Sequence, residues 1–137
     1  MAEPARFSLE FTAGPQHIDE LGHVNNAVWV EWLQRLSTSH WDALARPQDK
    51  GAYFWVVIRH EIDYRGNIAL GETARGTTHI PAPPRGAKSV RLAHFTDPAG
   101  KVIVSAATTW AMLDRATGRL ARVRPEIIAP FLTPPPA

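Results

Sequence analysis

Apolar residues recur along this chain with two different periods, and each change of period marks an element. Phe7, Leu9 and Phe11 alternate with Ser8 and Glu10, the pattern of a half-buried strand, and Gly14-Pro15 closes that segment. From Asn26 the spacing becomes three and four: Trp29, Trp32, Leu33, Leu36, His40 and Ala43 share one face, with Glu31, Gln34, Arg35, Thr38 and Asp42 elsewhere. That predicts a helix over 26–46, stopped by Pro47. Tyr53 to Tyr64 is apolar through Ile58 and then alternates, with Ile58, His60, Ile62 and Tyr64 against Arg59, Glu61 and Asp63. It reads as a long strand, buried on both faces at one end only. Gly71 to Ile80 and Ala87 to Thr96 read as two more strands, separated by the breaker cluster Pro81-Ala-Pro-Pro-Arg-Gly86. Asp97-Pro-Ala-Gly100 has the residues of a type I turn and leads into Lys101 to Asp114, rich in Val, Ile, Ala, Thr and Trp, so a hairpin is expected. One long helix among about five largely antiparallel strands makes an α+β domain, a curved sheet covering a single helix. The Pro-rich tail from Thr133 is expected to fray.

Composition narrows the chemistry. At 137 residues, 45% hydrophobic and with five Trp, the chain is long enough for one domain, 1–137, with a real core. With no Cys, disulfides and thiolate nucleophiles are excluded, and a reducing cytoplasm is the expected setting. The start, Met-Ala-Glu-Pro-Ala-Arg, has no apolar signal region, and the longest apolar run, Tyr53 to Ile58, is far short of a membrane span. A net charge of +2 is too mild to predict nucleic-acid binding. Six His are scattered without the spacing of a two-His-plus-carboxylate site, so no metal and no cofactor are expected.

The stretch with the most chemistry is His17-Ile-Asp-Glu-Leu-Gly-His-Val-Asn-Asn26. It places a carboxylate, Asp19, in a glycine-containing loop that ends at a helix N-terminus, with Asn25 as N-cap. The first-turn N–H groups of a helix lack intrahelical partners and carry the positive end of the macrodipole, so they can polarise a carbonyl oxygen. A carboxylate facing such donors suits acyl transfer. The competing reading of Asp19 is a turn-capping carboxylate, which such loops commonly use.

Asp19-x-x-Gly22-His-Val-Asn-Asn26-x-x-Trp29-x-x-Trp32 resembles the signature of hotdog-fold acyl thioesterases, the group that includes 4-hydroxybenzoyl-CoA thioesterase and the acyl-CoA and acyl-carrier-protein thioesterases. Val57-Ile-Arg-His-Glu-Ile-Asp-Tyr64 with Gly71-Glu72, the stretch Arg85-Gly-Ala-Lys-Ser-Val-Arg-Leu, and the ending Asp114 to Glu126 are similar to that family in the expected order, from Phe7 to Ile128. The resemblance implies a hotdog fold and hydrolysis of an acyl thioester to a free acid and CoA. Asp19 is then the nucleophile or the general base, and the backbone N–H of Asn26 holds the carbonyl oxygen, with Gly22 and His23 in the same motif. His23 matches the His of the plant enzymes' signature, but Leu21 stands where those have Asn, so their full set is not present. A His that hydrogen-bonds the loop or caps the helix is the competing reading. Glu31, on the helix, is a reserve acid, since some members use a helical Glu.

Arg85, Lys88 and Arg91, beside Ser89, open a strand and are placed to neutralise coenzyme A phosphates; an exposed charged edge that discourages aggregation is the equal alternative. The family resemblance further implies a homo-oligomer, a dimer or a tetramer, with sheets joined edge to edge and each site at a subunit boundary. Two function classes follow: a thioesterase acting on acyl-CoA or acyl-carrier protein, or a hotdog domain that binds acyl thioesters without hydrolysing them.

Overall fold

In the computed structural model, which describes residues 6–132, the main helix is α1, Asn26–Leu44. Asn25 caps it, its side chain accepting a hydrogen bond from Ala27 N. Val28, Trp29, Trp32, Leu33, Leu36, Ser37 and His40 are buried, whereas Ala43, expected on the same stripe, is exposed. Pro47 does not end helical structure but restarts it as the first residue of α2, Pro47–Ala52, where a missing N–H is no loss. A third helix, α3, Pro125–Ile128, also starts on proline. The expectation of a single helix is thereby corrected to one main helix of 19 residues with short companions. The fraying expected from Thr133 lies outside the described residues.

The strands are β1 Phe7–Thr12, β2 Tyr53–Tyr64, β3 Thr73–His79, β4 Lys88–Thr96 and β5 Val102–Asp114. They form one antiparallel sheet in the order β1-β3-β4-β5-β2, which leaves β1 and β2 at the edges. Asp97 Oδ1 accepts from Ala99 N and Lys101 N and closes the β4–β5 hairpin that the Asp97-Pro-Ala-Gly100 turn predicts.

One face of the sheet meets α1. Ala93, Phe95, Val104 and Ala106 pack there with Phe11, Trp29, Trp32 and Leu36, while a second cluster gathers Met112, Val123, Ile127, Ile128 and Phe131. Gly76 permits the close approach of helix to sheet: a Cβ there would lie 2.8 Å from the Phe95 ring and 3.1 Å from Leu36 Cδ2. In β2 the pairing with β5 slips between Val57 and Arg59. Tyr53, Trp55 and Val57 lie opposite Asp114, Met112 and Trp110, and after the bulge His60, Ile62 and Tyr64 lie opposite Thr108, Ala106 and Val104. The bulge puts Ile58, 50% exposed, out of the inward row in which simple alternation places it. None of β2 is fully buried, so the expected two-faced burial at its start is corrected as well; an edge position explains it. No described helix is long and apolar enough to cross a membrane.

Candidate active site

Asp19 sits at the tip of a tight hairpin whose arms meet in an isolated bridge between Ile18 and Val24. Asp19 N donates to His23 O at 2.8 Å, Gly22 N donates to Asp19 O at 3.1 Å, and Gly22 takes φ +79°, the left-handed conformation that closes such turns. The Asp19 carboxylate is divided between two tasks. Oδ1 accepts from Leu21 N at 2.9 Å and His23 N at 3.2 Å, the turn-capping role, and Oδ2 has no hydrogen-bond partner among the described residues. The side chain is half-buried, so Oδ2 is fixed in place by its twin and open to a reactant.

The hairpin feeds directly into α1. Asn25 N donates to His17 O at 2.9 Å, which ties the helix entrance to the outer arm of the loop, and the Asn25 cap uses the N–H of Ala27. The N–H of Asn26 has no partner among the described residues. It stands at the positive end of the helix, free to donate to an oxyanion. His23 is exposed and takes part through its backbone alone. Glu31 is exposed on α1.

Two residues to which the sequence assigns no role hold this loop. Asn67 clamps Val24 from both sides, Oδ1 accepting from Val24 N at 3.0 Å and Nδ2 donating to Val24 O at 3.1 Å. The Tyr64 hydroxyl lies 3.5 Å from Asn26 O, at the last residue of β2. Tyr64 closes the family-like stretch from Val57 but has no role assigned to it, and a lone Asn67 between Gly66 and an apolar residue carries no local signal of a contact 43 residues away.

The expected phosphate-binding set Arg85, Lys88, Ser89 and Arg91 does not form one surface. Arg85 and Lys88 exchange backbone hydrogen bonds across a two-residue turn with Gly86 at φ +62°, and both are exposed. Strand alternation then turns Ser89 and Arg91 inward, 4% and 6% exposed. Arg91 Nη1 donates to His40 Nδ1 at 2.7 Å and to Thr78 Oγ1 at 3.2 Å. Since that Nδ1 accepts, the proton of the neutral His40 ring is on Nε2, which is buried without a partner among the described residues. Burial, and then the charge of Arg91, push the His40 pKa down to about 3; burial lowers that of Arg91 to about 10.

Arg91 and Ser89 line a cavity of about 270 Å³ between the C-terminal half of α1, the start of β2 and the inner face of β4 and β5. This cavity is not beside Asp19. The loop is at the Asn26 end of α1, next to Tyr64, and the cavity is at the other end, next to Tyr53 and Trp41. The stretch of α1 from Asn26 to Ser37, the first helix residue to line the cavity, separates them by about 17 Å within one chain.

Comparison with known proteins gives the arrangement a context. The family model of the acyl-ACP thioesterase N-terminal domain matches residues 6–131. No curated protein matches the sequence. Among solved structures, an acyl-ACP thioesterase from Bacteroides thetaiotaomicron is 21% identical with a TM-score of 0.83, over 96% of this chain and 55% of that one. This chain therefore spans about half the length of that enzyme. A probable thioesterase from Escherichia coli, YbaW, is 23% identical with a TM-score of 0.74, over 90% and 94% of the two chains. A Staphylococcus aureus protein solved in complex with CoA is 13% identical with a TM-score of 0.81, over 94% and 82%. At these identities the likeness is one of fold: five antiparallel strands with helices in the hotdog manner.

Proposed function

The chain belongs to the acyl-ACP thioesterase N-terminal domain family, and on that premise we propose that residues 1–137 act as one domain hydrolysing an acyl thioester to a free acid and a thiol, with Asp19 as the catalytic group. The observation that carries the reading is the divided carboxylate of Asp19, one oxygen anchored by two backbone N–H groups and the other open, on the loop that ends at the unpaired Asn26 N–H. In one route Oδ2 attacks the thioester carbon, expels the thiolate and leaves an acyl anhydride on Asp19, which water then cleaves. In the other, Oδ2 takes a proton from water as that water attacks the thioester carbon, and the tetrahedral intermediate then expels the thiolate, which takes up that proton. Both routes place negative charge on the carbonyl oxygen, and Asn26 N–H at the helix N-terminus is the donor for it. Gly22 shapes the turn, and His23 contributes through its backbone.

The carrier we propose is coenzyme A, held at its phosphates by Arg85 and Lys88, which project together from one exposed turn; an acyl-carrier protein bearing the same phosphopantetheine phosphate is the alternative. We further propose a homodimer, or a tetramer of two dimers, joined through the free edge of β2. Antiparallel pairing of two β2 edges sets the Tyr53 end of one strand beside the Tyr64 end of the other, which brings the cavity of one copy toward the Asp19 loop of its partner.

The decisive experiment is thiol release from short, long and aromatic acyl-CoAs by wild type and Asp19→Asn. The variant keeps the shape of the side chain and removes its charge, so kcat should fall on the order of a hundredfold or more with substrate binding retained. Undiminished thiol release by Asp19→Asn would sink the assignment; no release by wild type from any thioester would favour an acyl-thioester binding domain.

A further inference from the structure

The cavity at the C-terminal half of α1 is walled by aromatic residues, among them Trp41, Tyr53, Trp55 and Trp110, yet it carries more hydrogen-bond donors than the fold uses. Ser89 Oγ, Trp55 Nε1 and Trp110 Nε1 are buried and have no partner among the described residues. Arg91 is the sharper case. Its guanidinium is buried, its two hydrogen bonds go to neutral acceptors on His40 and Thr78, both through Nη1, and no carboxylate among the described residues lies within ion-pairing distance. A buried cation without a counter-charge is costly, and a guanidinium with nitrogens to spare is shaped for a carboxylate. Half-buried Lys50, exposed Arg115 and a single acid, exposed Asp42, also line the cavity, so its lining leans positive.

We propose that this cavity receives the far end of the acyl group and that this end bears a carboxylate, paired with Arg91 and hydrogen-bonded by Ser89. The substrate class is then the half-thioester of a dicarboxylic acid. A cavity of about 270 Å³ is nearly twice the ~150 Å³ that accommodates a benzene ring, room for a short methylene run plus the carboxylate. The desolvation of Arg91 is already met by the fold, so an arriving carboxylate gains the full benefit of the pair, whereas a methyl-ended chain leaves the guanidinium and the Ser89 hydroxyl unpaired. For the other end of the ligand the proposal rests on the thioesterase reading and on the proposed dimer, which brings the cavity toward the partner's Asp19 loop.

Monomethyl adipate and methyl hexanoate separate the two readings, because they match in length and differ in whether the far end is a carboxylate or a methyl. Three Trp line the cavity, so quenching of intrinsic fluorescence reports binding to the full chain. Wild type should bind monomethyl adipate at least tenfold more tightly than methyl hexanoate. Arg91→Met should abolish that preference and Ser89→Ala should reduce it several-fold. Should Arg91→Met fail to fold, Ser89→Ala decides, since it removes a hydroxyl that has no partner among the described residues. Equal binding of the two esters, no binding of monomethyl adipate at millimolar concentration, or an unchanged preference in the folded variants would overturn the proposal. Adipyl and hexanoyl thioesters of N-acetylcysteamine keep the two claims apart: binding preference without hydrolysis of either refutes the hydrolase and leaves the pocket standing, and hydrolysis without preference does the reverse.

Discussion

Asn67 does with one side chain what a neighbouring strand does with its backbone, pairing both polar groups of Val24 and so fixing the inner arm of the Asp19 hairpin. Asn67→Ala leaves the Val24 N–H and carbonyl without partners in a buried position, which should cost about 1–3 kcal/mol. The expected outcome is a lower Tm together with a loss of thiol release larger than the loss of folded protein, because the hairpin carries Asp19; circular dichroism and the thiol assay on one preparation separate the two effects. His40 provides a second residue-scale expectation. Its folded pKa of about 3 lies below the unfolded 6.5, so the unfolded state binds a proton first as pH falls. The stability that a neutral His40 contributes is present in full above pH 6.5 and is lost progressively as pH falls from 6.5 toward 3. His60, His79 and His94 are lowered too and act in the same direction. Thermal melts between pH 7 and pH 4 should show Tm declining through this window, and His40→Gln, which keeps an acceptor for Arg91 and does not titrate, should flatten the decline. Parallel curves would contradict the assignment to His40.

At the scale of an element, β2 is the edge through which the proposed dimer would join. Twelve residues long, at the sheet edge, it carries Val56 and Ile58 exposed at 39% and 50%, the kind of edge that soluble chains cover or charge. Light scattering on wild type should give at least twice 15.2 kDa. The double change Val56→Lys, Ile58→Lys should shift the protein to monomer and lower activity, since the like charges of two copies would face each other across the seam. A fully active monomer would refute the shared-site arrangement. The bulge in the same strand explains why alternation alone mislocates Ile58. One extra residue reverses which parity points inward, and no composition signal marks it, because Val57, Ile58 and Arg59 are all compatible with a regular strand.

For the whole molecule, the proposed thioesterase reading turns on what is held at each end of the substrate. Arg85→Ala with Lys88→Ala should raise KM for acyl-CoA several-fold with kcat spared, because phosphates remote from the reacting carbon bind almost equally in ground and transition state. Added salt should have the same effect, as both side chains are exposed and screened. N-acetylcysteamine thioesters lack the phosphates, so their kinetics should be indifferent to the double change; equal losses on both substrates would remove the carrier assignment.

Local physics made much of this protein legible in advance. The periodicity of Phe7, Leu9 and Phe11, of Trp29 to His40, and of β3 to β5 is set by neighbours in sequence, so those elements, the Asn25 cap and the Asp97 turn follow from residue order. The glycine-containing loop before α1 followed in the same way, as did the placement of Asp19 and Asn26 on it. What residue order could not convey depends on contacts between distant segments. Arg91 reads as one of a run of cations until the sheet turns it under His40 and beside Thr78, 51 and 13 residues away. The clamp of Asn67 on Val24, the bulge at Ile58 and the donor-rich cavity likewise exist only once distant segments pack together. Spacing along the chain specifies which face a side chain can reach; only packing decides what it finds there.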